Sequence, residues 1–451
     1  MTKNLTVGSP ALLIVGFTVP LLIGNLFQQF YNMADAFIVG RTIGIEALAA
    51  VGCTGSINFL IMGFMMGFTQ GLSIITSQRF GAGDGQGVKR SFAISIVLGL
   101  CMTGILMLVS ILSARSLLIL LNTPEEILSD AYAYIIVIYW GFPAALLFNI
   151  CSSMMRAVGD SITPLIALIV ACIINIILDY TFILIFKTGV EGAAYATVIA
   201  QVIAGLLCML YIVKKFPSLR ISKEDWKLSG QEIWGHIKVA LPMGFQMSII
   251  AIGAVAVTFA LNNLQSTIAV AAFAASQKID MLASMPLASF GSAMTTYSAQ
   301  NFGARRIDRI KKGVVQCFAI SGSFSLLMGV LYFFAGNHLS ALFLGAGQTE
   351  AVELSHLYLK INGSLYLMLS WLFIARQSLQ GLGNSIVPTI AGIMELFMRT
   401  FAAIFLSEIF GFTGICFASP LAWLGACIPL TIAVILTLKK LSRKMERNYS
   451  V

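Results

Sequence analysis

The sequence predicts an all-α membrane protein whose twelve transmembrane helices form two lobes of six. Of its 451 residues 58% are hydrophobic and only 10% are charged, against about 25% in a typical soluble domain. Apolar segments of the roughly 20 residues needed to cross a bilayer recur twelve times. The two halves of the chain also carry the same motifs in the same order.

This composition excludes a soluble enzyme, a nucleic-acid-binding protein, a secreted disulfide scaffold and a disordered chain. The net charge of +9 is typical of basic cytoplasmic loops in a membrane protein. The eight cysteines form no CxxC pair and the three histidines have no metal-ligand spacing. We therefore expect no cofactor and no bound metal, apart from a transported ion.

Hydropathy divides the chain into twelve segments, and the first, beginning at Pro10, is too long for the core of a signal peptide. The segments lie near residues 10–38, 47–78, 91–112, 130–156, 163–186, 190–213, 236–262, 267–299, 314–336, 354–376, 386–409 and 412–438. Several are longer than one bilayer crossing, which indicates tilted or extended helices.

The basic residues predict the orientation of these segments. With both termini placed in the cytoplasm, most of the 28 lysines and arginines fall on the inner side, including Arg79 and Arg376. The outer side keeps only Arg41, Arg115 and Lys187. This asymmetry follows the positive-inside rule and predicts an even number of spans.

The two halves repeat with an offset of 222 to 224 residues. The repeated pairs are Pro20 with Pro242, Gln78-Arg79-Phe80-Gly81-Ala82 with Gln300-Asn301-Phe302-Gly303-Ala304, Gly159-Asp160-Ser161-Ile162-Thr163-Pro164 with Gly383-Asn384-Ser385-Ile386-Val387-Pro388, and Gly189-Val190-Glu191-Gly192 with Gly411-Phe412-Thr413-Gly414. We expect an N-lobe at 1–215, a cytoplasmic linker at 216–235 and a C-lobe at 236–451. Six helices per half give parallel repeats around a central cavity, an arrangement typical of transporters.

A charge in the middle of a membrane helix costs about 2.5–3.5 kcal/mol on insertion scales, so each one needs a partner or a function. Asn175 and Asp179 are spaced i,i+4 and share one helix face, where they bind a proton or small cation or simply hydrogen-bond a neighbouring helix. Asp35 lies late in the first segment, beyond Pro20, where a kink is permitted. There it is either functional or hydrated at the outer interface.

Four further charges lie inside predicted helices. Lys278 and Asp280 are spaced i,i+2 and do not face each other, so each needs another partner. Glu395 and Arg399 are spaced i,i+4 and favour an internal ion pair over a direct substrate role. The repeat maps Asp35 to Val257, Asn175 to Arg399 and Asp179 to Ala403. We therefore expect the carboxylate site, and ion coupling, only in the first half.

Together these features resemble the multidrug and toxic compound extrusion (MATE) transporters over nearly the whole chain. The resemblance rests on Pro20 with Tyr31-Asn32-Met33-Ala34-Asp35, the repeated Gln-x-Phe-Gly-Ala turn and the repeated Gly-x-Ser-x-x-Pro motif. It is nearest to the DinF-like and related bacterial branch. That branch implies an N-lobe cation site, which falls here on Asp35, Asn149, Asn175, Asp179 and Thr197. It also implies protonation of Asp35 with bending near Pro20.

The sodium-coupled, NorM-like branch carries acidic residues in its seventh and tenth helices. This chain offers Gln246 in the seventh, and Asn362, Ser370 and Gln377 in the tenth. Proton coupling is therefore favoured. Sodium coupling remains an alternative, because the first half supplies oxygen ligands that suit a hard cation. Polar, charged, aromatic and methionine side chains suit an organic cation. The candidates for a substrate cavity are Gln28, Asn32, Met33, Met62, Met65, Met66, Tyr139, Gln246, Lys278, Asp280 and Glu395.

The resulting hypothesis is a monomeric efflux antiporter in a bacterial plasma membrane. It exchanges amphipathic, cationic organic compounds for H⁺ or Na⁺ by rocking alternating access, in contact with membrane lipids and without nucleic acid. The alternative is a flippase for lipid-linked oligosaccharide or polysaccharide precursors, which needs a cationic cavity and finds only Lys278 and Arg399. A membrane enzyme would need a metal-binding or acidic cluster, and the sequence shows neither.

Overall fold

A computed structural model describes residues 4–345 and 347–449, and every regular element in these ranges is helical. The first half contains α1 (Pro10–Thr42), α2 (Ile45–Gly81), α3 (Gly85–Leu120), α4 (Glu125–Trp140), α5 (Phe142–Ala157), α6 (Ile162–Tyr180) and α7 (Val190–Lys215). The second contains α8 (Gly230–Asn263), α9 (Thr267–Gly303), α10 (Ile307–Leu344), α11 (Thr349–Ser364), α12 (Tyr366–Gly381), α13 (Ile386–Phe401), α14 (Ser407–Phe410), α15 (Phe412–Cys416) and α16 (Ala418–Tyr449).

These helices confirm the predicted fold class. In the described ranges, ten helices are long and apolar enough to cross a bilayer, and the number rises to twelve if each of two bent pairs forms one span. The pairs are α4 with α5, bent by 47°, and α11 with α12, bent by 52°. The first bend lies at Gly141, with Pro143 in the opening turn of α5, where proline costs no helical hydrogen bond. Short π-helical segments at Thr181–Ile185 and Ala402–Leu406 follow α6 and α13.

The repeated motifs correspond to helix ends. In the Gly-x-Ser-x-x-Pro motif, Gly159 and Gly383 adopt φ of +89° and +84°, a left-handed conformation that favours glycine and ends a helix. After the Gln-x-Phe-Gly-Ala turn, Gly83 has φ of +75°. Its repeat equivalent is Arg305, which holds φ of +58° at a cost of about 1 kcal/mol or more. At this position the two halves share the backbone conformation but not the residue type.

The chain forms two compact units. Unit 1 contains Val19–Met247, and unit 2 contains Leu5–Thr18 and the chain from Ser248 onward. The units follow the two halves except at two helix ends: the start of α1 belongs to unit 2, and the first half of α8 belongs to unit 1. Two prolines, Pro20 and Pro242, lie within six residues of these crossover points.

The first half of α8 is held in unit 1 by polar groups and close backbone packing. Arg79 pairs with Glu232 at 2.6 Å, and the Ser91 hydroxyl bonds the buried His236 ring at 2.7 Å. Gly71 lets the backbones of α2 and α8 approach, since a Cβ there would lie 2.4 Å from Ala240 Cα. Small residues at helix contacts are the usual means of tight packing in membranes.

The segment before α1 is held in unit 2 by the second copy of the same turn motif. Gln300 accepts a hydrogen bond from the Leu5 amide at 3.0 Å, and the Asn301 amide donates to the Leu5 carbonyl at 3.2 Å. Arg309 donates to the Gly8 carbonyl at 2.8 Å. The Gln-x-Phe-Gly-Ala motif therefore supplies side chains that fix a neighbouring helix start in each unit.

Candidate cation site in unit 1

Four of the five residues predicted for the cation site lie together in unit 1. Asp35 comes from α1, Asn175 and Asp179 from α6, and Thr197 from α7. The Thr197 hydroxyl donates to Asp35 Oδ2 at 3.2 Å. The Asp179 carboxylate and the Asn175 amide both lie close enough to Asp35 to interact with it electrostatically. Three separate helices therefore bring two carboxylates to one point inside the membrane-spanning region.

The face of α6 that carries Asn175 and Asp179 is set by the motif at its start. Asp160 accepts hydrogen bonds from the amides of Ile162 and Thr163, both at 3.0 Å, and so caps the first turn. From this start, Asn175 and Asp179 fall one turn apart on the buried side, and neither has any exposed surface. The motif thus caps the start of the helix that carries both residues.

The site is rich in polar atoms that lack a partner. Both carboxylate oxygens of Asp179, both amide atoms of Asn175, Asp35 Oδ1 and the Tyr31 hydroxyl are buried and make no hydrogen bond. A buried polar atom without a partner costs about 1–3 kcal/mol, and more when charged. A ligand that bonds oxygen would satisfy this set, and two adjacent carboxylates favour a positive one. A proton or a small hard cation meets both conditions.

The fifth predicted residue, Asn149, is hydrogen-bonded within its own helix. The Asn149 amide donates to the Ala145 carbonyl of its own helix at 2.8 Å, and no described hydrogen bond joins it to the other four. Tyr31 was missed by the sequence reasoning although it is buried beside Asp35. Its spacing of i,i+4 from Asp35 on α1 was the available signal. Tyr134 of α4, also near both carboxylates, carried no such signal.

The residues proposed to line a substrate cavity separate into two groups. Gln28, Asn32, Met33, Met66 and Lys278 are exposed, and Met62 is half-buried. Met65, Tyr139 and Gln246 are buried; Met65 and Tyr139 belong to the hydrophobic core of unit 1, where Tyr139 packs on Phe142 with ring centroids 5.2 Å apart. The buried group presents no surface to a substrate in this conformation.

Unit 2 contains a buried ion cluster. Glu395 Oε1 accepts from Arg399 at 3.0 Å, which is the predicted i,i+4 pair. Its other oxygen accepts from Arg376 at 2.5 Å. Arg376, which the sequence analysis counted among the basic residues of the inner side, lies within α12 and is 4% exposed. A neutralised arginine can remain inside a helix bundle.

Asp280 finds its partner outside its own helix, as the i,i+2 spacing from Lys278 required. The Tyr366 hydroxyl donates to Asp280 Oδ1, and the Tyr332 hydroxyl donates to the Ile279 carbonyl at 3.2 Å. The two tyrosine rings pack edge-to-face with centroids 5.5 Å apart. No described lysine or arginine lies within ion-pair distance of this carboxylate.

The MatE family model matches residues 20–181 and 242–405, once in each half. The chain belongs to the MatE family. It is therefore a multi-pass membrane transporter and not an enzyme, and the resemblance found in the motifs is confirmed. The probable multidrug resistance protein YoeA of Bacillus subtilis is 28% identical over 391 residues, covering 84% of this chain and 83% of that protein. The multidrug export protein MepA of Staphylococcus aureus (strain MW2) is 24% identical over 403 residues, or 88% of each.

Solved structures agree with the MatE fold. A MATE in the bent conformation matches with a TM-score of 0.91 at 22% identity, covering 98% of this chain and 99% of that one. A MOP superfamily transporter from Pyrococcus furiosus, described as having a binding pocket of reverse polarity, matches with a TM-score of 0.88 at 22% identity, covering 98% of both chains. At this identity the likeness establishes the fold alone.

Proposed function

We propose that this MatE-family transporter is a secondary antiporter that exports amphipathic, cationic organic compounds in exchange for H⁺ or Na⁺ bound at Asp35 and Asp179. The observation that carries the proposal is the pair of adjacent carboxylates with unpartnered buried oxygens. An ion that neutralises the pair removes a large electrostatic cost, so its arrival and departure change which helix arrangement is stable. Alternating access then follows when the two arrangements open to opposite sides.

The class of substrate is inferred from charge and from the relatives. YoeA and MepA carry names that describe multidrug resistance and export. A protein that binds positive ions with carboxylates suits cationic compounds, for which exposed methionines such as Met33 and Met66 offer adaptable apolar contacts. We place the protein in a bacterial plasma membrane as a monomer surrounded by lipid.

The flippase alternative has no support from the comparisons. A lipid-linked pyrophosphate requires several free cationic groups, and Arg399 is already bound to Glu395. Of the two cations considered for this role, Lys278 and Arg399, only Lys278 has no ion pair among the described residues. One exposed lysine does not make a pyrophosphate site.

The decisive experiment measures transport in proteoliposomes under a pH gradient or a Na⁺ gradient applied separately. We expect uptake of a fluorescent organic cation to respond to one of the gradients, and Asp35→Asn and Asp179→Asn each to abolish that response. Asp130→Asn, which changes an exposed carboxylate of α4 in the same unit, is the matched control and should transport normally. Thermal unfolding of each purified variant shows that the fold is intact.

Two results contradict the proposal. Full gradient-driven transport in both Asp35→Asn and Asp179→Asn removes the site assignment. Transport by the wild type that responds to neither gradient removes ion coupling itself. The choice between H⁺ and Na⁺ is decided by which gradient drives uptake.

A further inference from the structure

The cation site of unit 1 has a counterpart in unit 2 that can be located by the internal repeat. Counted with the offset of Pro20 and Pro242, Tyr31 corresponds to Gly253 and Asp35 to Val257. Counted with the offset of the motif that starts α6 and α13, Asn175 corresponds to Arg399 and Asp179 to Ala403. π-helical segments follow both helices, so the local backbone is also alike.

Both carboxylates are lost at this counterpart. Val257 is 5% exposed and Ala403 has no exposed surface, so apolar side chains stand where unit 1 has Asp35 and Asp179. No described acidic residue occupies either position. A mobile cation therefore has no ligand at the two positions that hold it in unit 1.

The Arg399 side chain lies against a third counterpart position, Gly253. A Cβ on Gly253 would lie 3.3 Å from both Cδ and Nη1 of Arg399, so the arginine packs directly against that glycine. The equivalent residue in unit 1 is Tyr31, whose ring fills its own position and is buried. Glycine at 253 thus makes room for the Arg399 side chain where unit 1 holds an aromatic ring.

The guanidinium is fixed there by charge. Glu395 binds Arg399 at 3.0 Å and Arg376 at 2.5 Å, and all three side chains are at most 13% exposed. Arginine stays protonated in proteins and is covalently attached, so this positive charge neither dissociates nor titrates. Arg376 holds the second oxygen of Glu395, which keeps the carboxylate ionised beside Arg399.

We propose that Arg399 is a built-in cation that occupies, in unit 2, the position taken by the exchangeable ion in unit 1. Its effect is to confine ion binding to unit 1, so that the transporter has one exchangeable cation site. The inference rests on the proposed cation site of unit 1 for its functional meaning. The cluster in unit 2 makes a prediction of its own: without the Arg399 side chain, Glu395 binds a small soluble cation.

The test is cation-dependent thermal unfolding of the full chain in lipid nanodiscs. Arg399→Ala should unfold at a lower temperature than the wild type, because Glu395 loses one of its two partners. Guanidinium chloride at millimolar concentration should raise the Tm of Arg399→Ala by about 2 °C or more relative to NaCl at equal ionic strength. The wild type and Arg399→Ala/Glu395→Gln should show no such rise.

A second set of variants connects the result to ion coupling. Asp179→Asn should lose the pH-dependent or Na⁺-dependent shift in Tm shown by the wild type, and Asp179→Asn/Arg399→Ala should regain a shift with guanidinium. If Asp179→Asn keeps the wild-type ion response, the proposed function fails, whatever the guanidinium result. If guanidinium affects Arg399→Ala and the wild type equally, the built-in cation is refuted while the site in unit 1 is untouched. Arg399→Gln replaces Arg399→Ala if the latter does not fold.

Discussion

At the scale of single residues, the cation site depends on a few groups that hold two carboxylates in place. Thr197 is the one described hydrogen-bond donor to the Asp35 carboxylate with good geometry, at 3.2 Å. Neither carboxylate oxygen of Asp179 has a hydrogen-bond partner of good geometry among the described residues, and Asp35 is the carboxylate beside it. The two carboxylates are therefore supported unequally: Asp35 accepts a hydrogen bond from a hydroxyl, and Asp179 is the carboxylate that we propose to be neutralised by the exchanged ion.

Thr197→Val should separate these roles. Valine keeps the shape of threonine and removes the donor, and a hydrogen bond to a charged group contributes about 1.5–3 kcal/mol. We expect gradient-driven transport to fall about tenfold or more, while Thr197→Ser, which keeps the hydroxyl, stays near the wild-type rate. The measurement is initial uptake in proteoliposomes. Equal rates for the valine and serine variants would show that the Thr197 hydroxyl plays no part.

At the scale of helices, two glycines of α2 allow a close approach to the first half of α8 in unit 1. Gly71 lies against the backbone of Ala240, and Gly67 lies against the Met243 carbonyl, with virtual Cβ distances of 2.4 Å in both cases. Backbone atoms cannot rotate away as a side chain does. This contact therefore fixes where the first half of α8 lies within unit 1.

Gly71→Ala should destabilise the protein by about 1–3 kcal/mol, the usual cost of overpacking. Gly52→Ala on the same helix is the matched control, since no atom lies within 4 Å of a Cβ there. We expect the control to be neutral or slightly stabilising, because alanine favours a helix. Thermal unfolding in nanodiscs compares the two variants directly. If Gly71→Ala were as stable as Gly52→Ala, the close contact between α2 and α8 would not contribute to stability.

The linker between α7 and α8 contains a small capping structure outside the membrane. Asp225 Oδ2 accepts from the Ser222 amide at 2.8 Å and from the Ser222 hydroxyl at 2.7 Å. The backbone hydrogen bond from Ser222 lowers the pKa of Asp225, and the hydroxyl adds to this effect. A lowered folded-state pKa stabilises the turn above the ordinary pKa of about 3.9, and the effect is lost as pH falls through the lowered value.

Asp225→Asn should accordingly loosen this turn at neutral pH. Hydrogen–deuterium exchange of the amides at 222–226 should rise about fivefold, as expected for roughly 1 kcal/mol of capping energy. Glu224→Gln changes the neighbouring carboxylate and should leave exchange unchanged. In the wild type, exchange corrected for its intrinsic pH dependence should rise only in acid. An acid-insensitive wild type would mean that the ionised carboxylate does not hold the turn.

At the scale of the whole molecule, the repeat and the distribution of basic residues determine the topology that we propose. Even spans in each half predict the same orientation for both halves, and the basic residues predict that the linker and both termini are cytoplasmic. Reporter fusions test this directly. A fluorescent protein joined to the C-terminus or inserted after Lys227 should fluoresce, and alkaline phosphatase inserted at Lys187 should be active. Activity of phosphatase at the C-terminus would invert the topology.

The fold class of this protein was predictable because membrane insertion imposes clear patterns on a sequence. Apolar length, the repeated motifs and the positive-inside pattern predicted the fold class and the family. Four of five site residues were also brought together as expected, since charges inside a bilayer are rare and the family resemblance assigned them. Asn149 shows the limit, because sequence position does not determine which way an amide turns.

The sequence by itself determined the apolar segments, the repeat and the identity of the charges that the membrane must accommodate. Only the tertiary structure decided which groups meet: that Tyr31 lies beside Asp35, that Tyr366 binds Asp280, and that Arg376 and Arg399 share Glu395. The physical reason is that hydropathy is a sum over one helix, whereas a buried charge is stabilised by side chains from other helices. Helix packing determines those partners. The hydrophobic periodicity of a single segment does not predict them.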